Sequence, residues 1–128
     1  MSDGREHARI LVVEDTLPMA KLTIMTLQRG GFEAIFHAED GEAAIEFLEN
    51  NEPHLVLLYL NLPGVSGWGV AEFMERRYGA GTIPIIVTTA MGDSANRVVG
   101  KLQNVYKYMV KPFTPHDLIE SVETALGL

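Results

Sequence analysis

Two adjacent carboxylates, Glu14 and Asp15, follow directly on the apolar run Ala8 to Val13 (ARILVV). Further along, hydroxyls at Thr88 and Thr89 end a second apolar run, and Lys111 ends a third. Paired carboxylates offer hard oxygen donors to a divalent cation such as Mg²⁺, which is held by one or two such groups plus water. A threonine hydroxyl can bond an anionic oxygen. An ammonium can neutralise that anion, or instead the carboxylates, whose burial is costly without a cation. Taken together the set describes a site for an anion with a cation beside it. The alternative stays open that strand ends are polar because they meet solvent.

Positioning such residues takes strands that end together, and the chain is patterned that way. Short apolar runs alternate with longer helical periods, as βα units around a parallel sheet require. The first strand is expected over Ala8 to Val13, continuous because both faces are buried. A helix follows with Pro18 in its first turn, an apolar stripe of Leu17, Ala20, Ile24 and Leu27, and a stop at Gly30-Gly31. The second strand is expected over Phe32 to Ala38. Asp40 is suited to cap a second helix, with Ala44, Phe47 and Leu48 on one face and Asn50-Asn51 at its end. Leu55 to Leu60 (LVLLYL) is the most hydrophobic run and belongs at the centre. Pro63 and Gly64 break it, and Gly67 opens a third helix through Val70, Phe73 and Met74 to Tyr78.

The fourth strand is expected over Ile83 to Thr88. A helix carrying Ala95, Val98, Val99 and Leu102, a short fifth strand over Lys107 to Val110, and a last helix from Thr114-Pro115 complete the count. That last helix should bury Leu118, Val122 and Leu126. Right-handed crossovers place such a sheet between two helix layers. Functional groups then gather beyond the carboxyl ends of the strands: Glu14-Asp15, Tyr59-Leu60-Asn61, Thr88-Thr89 and Lys111.

Composition narrows the field. At 128 residues and 14.1 kDa the chain fits one domain, 1–128, with residues 1–7 as a polar leader. There is no cysteine, hence no disulfide and no thiolate metal site. No apolar run approaches the ~20 residues of a membrane span, so a cytoplasmic protein without membrane contact is expected. A net charge of -7 with sparse bases argues against direct contact with nucleic acid.

The segments ILVVED, GGFEA, DGEAAIEFL, PHLVLLYLNLPGVSG, IPIIVTTA and YMVKPF carry a resemblance to receiver domains of bacterial two-component response regulators. It covers residues 8 to 126. The resemblance implies a flavodoxin-like three-layer α/β sandwich with a five-stranded parallel sheet of order 2-1-3-4-5. It makes Glu14 and Asp15 the acidic pair that helps bind Mg²⁺, and Asn61 the residue whose backbone carbonyl completes the metal site. Thr89 resembles the switch hydroxyl, Tyr108 the switch aromatic, and Lys111 the lysine that contacts the phosphoryl group. The Lys111–Pro112 bond is expected to be cis. Implied partners are a histidine kinase, an output domain or another regulator, or a second copy. The implied docking face is the fourth helix, fifth strand and fifth helix, with Arg97, Lys101, Lys107 and Glu120 as its charges.

Two departures from the family pattern matter. PDLVLLD in the family is PHLVLLY here, so His54 replaces one aspartate and Tyr59 the phosphoacceptor. No carboxylate lies between Pro53 and Ala71, and a shift in alignment rescues nothing. An acyl phosphate needs a carboxylate, whereas a phenol with a pKa near ~10 is neutral at pH 7. The expectation is an atypical, non-enzymatic receiver that works by protein contacts without phosphorylation, with Mg²⁺ binding weakened or lost. The alternatives are a conventional phosphorelay receiver locked in one conformation by a substituted acceptor, or one phosphorylated at a non-standard residue. A lesser departure is Asn104-Val105 in place of Gly-Ala. His54 reads as a surface residue, His37 has no obvious partner, and Tyr106 and Tyr108 should share a strand face.

Overall fold

Runs that are apolar throughout can only be strands covered on both sides, and they occupy the middle of the sheet. A computed structural model describes residues 3–90 and 105–128. In β1 (Ile10–Val13) every residue is buried, and in β3 (Leu55–Tyr59) all but the last. The two lie parallel, with Ile10 opposite Leu55 and Val13 opposite Leu58. Outside them lie β2 (Ile35–Ala38) on one side, and β4 (Ile85–Ala90) then β5 (Val105–Lys111) on the other. All neighbours are parallel and the order is β2-β1-β3-β4-β5, the flavodoxin-like arrangement.

Alternation of side chains along each strand divides the core in two. Leu11, Val13, Val56, Leu58 and Val87 meet α2 (Gly41–Asn50) and α3 (Gly67–Tyr78) through Ala44, Leu48, Val70 and Met74. Ile10, Val12, Leu55, Leu57, Ile86 and Met109 meet α1 (Leu17–Arg29) and α4 (Pro115–Leu126) through Leu27, Leu118 and Val122. Helix starts are fixed by side chains that satisfy otherwise orphaned amides. Asp40 accepts from Ala43 N at 2.7 Å, Ser66 from Gly69 N at 3.3 Å, and Thr114 forms a capping box with Asp117. At Gly67 a Cβ would lie 2.7 Å from the Tyr59 carbonyl oxygen, so only glycine lets α3 start this close to the end of β3.

Several expected boundaries move. β1 starts at Ile10 and not at Ala8, and β3 ends at Tyr59 and not at Leu60. β2 begins at Ile35, because Phe32 bonds back to Leu27 O to close α1, although its ring is fully buried. β4 runs two residues later than its apolar start suggests, since Ile83 is buried below the strand and pairing begins beside Pro84. β5 is not short: with seven residues it is the longest strand among the described residues, and Tyr106 is an extra residue where Val105 faces Ile85 and Lys107 faces Ile86. Leu17 leaves the apolar stripe of α1 and is 54% exposed. The helix expected around Ala95 to Leu102 lies outside the described residues, as do Arg97, Lys101 and Asn104.

The leader is docked. Arg5, in a single 3-10 turn (Arg5–His7), reaches Asp3 at 2.7 Å, Glu123 at 2.8 Å and Gly30 O at 2.8 Å, and lies over the Phe32 ring. Its guanidinium holds the Asp3 carboxyl at about 2. Among the described residues no helix is long and apolar enough to cross a membrane.

Burial separates two apolar positions sharply. Phe32→Ala is expected to cost about 3–5 kcal/mol, as for other buried aromatics. Leu17→Ala should stay within about 0.5 kcal/mol, as an exposed substitution. Urea unfolding of both variants checks the pair.

Candidate functional site

The parallel register brings all five strand ends to one edge. Tyr59 on β3 stands beside Thr88 on β4, and Ala90 beside Lys111 on β5. Glu14 follows β1 directly, with its amide bonded to Ala38 O at the end of β2. The strand order then decides the contacts. For Lys111 to reach Glu14 its side chain must pass over β4 and β3, and the last residue of β3 is Tyr59.

It makes that crossing. Lys111 Nζ donates to Glu14 Oε1 at 2.6 Å and sits 4.1 Å from the centroid of the Tyr59 ring. The second Glu14 oxygen accepts from Thr16 N at 3.3 Å, and the Glu14 carbonyl lies 2.9 Å from His37 Nε2. The Glu14 side chain is 6% exposed and that of Lys111 17%, so the pair is largely out of water. A cation held over a tyrosine face gains about 0.5–2 kcal/mol. The ammonium therefore has both an anionic and an aromatic partner.

The remaining predicted residues differ in burial. Asp15 and Asn61 are exposed, while Thr88 and Thr89 are buried at the end of β4. Thr89 Oγ1 lies 3.5 Å from Ala90 O. Tyr108 is half-buried against the α2–α3 side of the core, and that burial raises its phenol pKa. Tyr106, at the bulge, is 47% exposed, so the two tyrosines do not share one environment. Lys107 donates to Ser121 on α4 at 2.9 Å. The Lys111–Pro112 bond is cis.

His54 lies at the amino end of β3, away from the site, where its Nδ1 accepts from Arg9 N at 2.9 Å. His37 does have a partner, the Glu14 carbonyl, contrary to expectation. Sequence reasoning also missed Glu42, whose Oε1 accepts from Val65 N at 2.8 Å and so ties the loop after β3 to α2. A carboxylate in the first turn of a helix is ordinary, and nothing local marks this one.

The donors do not suit Mg²⁺, which demands near-octahedral oxygen coordination. Among the described residues no three His, Asp or Glu side chains gather, Glu14 is committed to an ammonium, and Tyr59 turns an aromatic face to that same ammonium.

A family description, the response regulator receiver domain, matches residues 10–123. The chain belongs to that family. Receivers of this family act in two-component signalling. The phosphate regulon transcriptional regulatory protein PhoB of Escherichia coli (strain K12) is 34% identical over 118 residues, 92% of this chain and 51% of that protein. PhoB of Klebsiella pneumoniae gives the same identity and coverage. This receiver thus spans about half the length of these relatives. Among solved structures, a CheY-like response regulator receiver domain protein from Methanospirillum hungatei JF-1 superposes with a TM-score of 0.81 at 27% identity, covering 93% of this chain and 94% of that one.

Removing one partner of a buried ion pair strands the other, at about 3–5 kcal/mol. Lys111→Ala is therefore expected to lower unfolding stability in urea by about that much, and a change below about 1 kcal/mol would show the pair to be solvated. Burial also raises the phenol pKa of Tyr78 and Tyr108 in the folded state. The unfolded chain then loses those protons first, so stability is whole below the ordinary phenol value of about 10 and falls as pH climbs through it. Alkaline unfolding of Tyr108→Phe, with a shallower fall than the parent, checks this.

Proposed function

We propose that this receiver signals by protein contact without being phosphorylated, and that it has no catalytic activity of its own. The observation that supports this most is the Lys111 ammonium resting on the Tyr59 ring while bonded to Glu14. In the receiver pattern that lysine contacts an acquired phosphoryl group, and the residue at position 59 acquires it. Here both are already partners of one another. Trapping phosphate from a phosphohistidine also requires a carboxylate nucleophile, and a neutral phenol does not form an acyl phosphate. Mg²⁺, which would neutralise the transferred group, has lost one anionic oxygen to the tyrosine and a second to the lysine.

Partners of the chain on this reading are other signalling proteins: a histidine kinase, an output domain or a further regulator. The expectation of no direct nucleic-acid contact is confined to the receiver itself. Relatives of twice its length are named transcriptional regulatory proteins, and a whole protein of that build would reach nucleic acid through its other half.

Incubation with acetyl phosphate and Mg²⁺ followed by intact-mass spectrometry tests the proposal. The parent chain is expected to gain no phosphoryl adduct, whereas Tyr59→Asp, with Glu14, Asp15, Thr89 and Lys111 all retained, is expected to gain one. A stable adduct on the parent sinks the reading and favours a non-standard acceptor. Trp68, the only tryptophan and one residue into α3, reports on the metal. Its fluorescence should not respond to sub-millimolar Mg²⁺ in the parent.

A further inference from the structure

Among the described residues β2 is the last strand on its side of the sheet. Ala34 O accepts from Ile10 N at 2.9 Å, and Ala38 O from Glu14 N at 3.1 Å. Alternation in a parallel ladder then turns the Phe36 backbone toward β1 as well. It leaves the Ile35 carbonyl and both His37 backbone groups pointing away from the sheet. Such a border is normally guarded by a charge or a proline within the strand, or by a bulge. β2 reads IFHA, with no lysine, carboxylate or proline, and its pairing with β1 runs through all four residues without a shift in register. Phe36 is 40% exposed and packs against half-buried Phe47 of α2, with ring centroids 5.1 Å apart. Unpaired backbone beside an open aromatic pair is how a sheet takes up an extended segment: main-chain bonds hold it and side-chain contacts select it.

Charge decides the occupant. Between Arg29 and Arg76 the chain carries nine of its 17 carboxylates and none of its ten lysines and arginines. Glu33 and Glu39 flank β2, and Glu46 precedes Phe47 on α2; all three are exposed. Asp40 and Glu42 are occupied, by Ala43 N and Val65 N. A second copy added at this border would set the same acids against one another, which opposes self-pairing. A basic segment meets the opposite charge, and an arginine beside Phe36 gains the ring face as well.

We propose that β2 takes up an extended basic segment of another protein as a sixth strand, with an arginine over the exposed Phe36 ring and further bases answered by Glu33, Glu39 and Glu46. This deepens the contact-based reading, on which it rests, by naming the chemistry of a partner. The border used is the opposite one from β5.

The experiment is fluorescence anisotropy of a labelled, end-blocked peptide of alternating arginine and valine, titrated with the whole chain at low ionic strength. No kinase, phosphodonor or metal is present, so a failure here leaves the acetyl phosphate result standing, and the reverse holds too. Saturable binding is expected, weakened at least about tenfold by Phe36→Ala and by His37→Pro, which remove the ring and the outward amide. His37→Ala keeps that amide and should bind within about twofold of the parent. Both His37 variants lose the ring's bond to Glu14 O, so their comparison isolates the backbone. Proline at an outward amide removes no ladder bond, and circular dichroism and the unfolding midpoint of His37→Pro check that it folds. Methylating the peptide's own amides leaves the protein untouched: blocking one alternate set should abolish binding, and blocking the other should not. Absence of saturable binding overturns the proposal. So does binding indifferent to His37→Pro and to both methylated peptides, which would reduce the attraction to charge alone, or equal binding of a peptide with glutamate in place of arginine. A concentration-dependent dimer in sedimentation velocity that Phe36→Ala abolishes would give the border to a second copy and overturn it as well.

Discussion

One lysine holds the working edge of this domain together. Lys111 leaves the outermost strand and crosses two others to meet Glu14, and the strand order 2-1-3-4-5 leaves no shorter route. Because Glu14 directly follows a fully buried strand, its carboxylate would be stranded in a dry site without that ammonium. The residue on the path between them has to accept a cation on its flank. An aspartate would do so as a counter-ion. A tyrosine does so with its ring, which is why the aromatic substitution is tolerated structurally at a place where bulk alone would argue against it.

The same contact fills the space at the end of β3. Tyr59 supplies volume and a polarisable surface, and the ion pair closes over it. The adjoining loop is held separately, by Glu42 on the Val65 amide, so the end of β3 is braced from both sides. The edge is thereby held by a largely buried ion pair and an aromatic contact, and the loop after it by a separate carboxylate–amide bond.

Much of this was legible in the residues alone. The continuous runs ILVV and LVLL announced fully covered strands, and both are central. Asp40 and Thr114 were readable as helix starts because capping is a local matter of one side chain and the amides just ahead of it. Lys111 and the Glu14-Asp15 pair could be nominated together, with the lysine as a candidate neutraliser, but not the choice of Glu14 over Asp15. That choice depends on which side chain of the pair turns into the sheet. Leu17 and His37 were misjudged for a related reason. Periodicity says which residues share a side of a helix, not how far the neighbouring layer extends to cover its first turn. A backbone carbonyl as the partner of a histidine leaves no trace in composition. Strand limits failed where apolar residues serve the core outside the ladder, as Phe32 and Ile83 do.

The extra residue in β5 has a consequence for the sheet as a whole. An outermost strand of seven residues, with Tyr106 and Val110 partly in water, offers the kind of template onto which further chains stack. Lysines normally guard such a border by pointing outward, but Lys111 is drawn inward to Glu14, and Lys107, though exposed, is tied to Ser121 on α4. The guard here is a kink instead. By interrupting the regular spacing of amides and carbonyls at Tyr106, the bulge spoils the straight border that a growing fibre would need, and so lets Lys111 serve the interior.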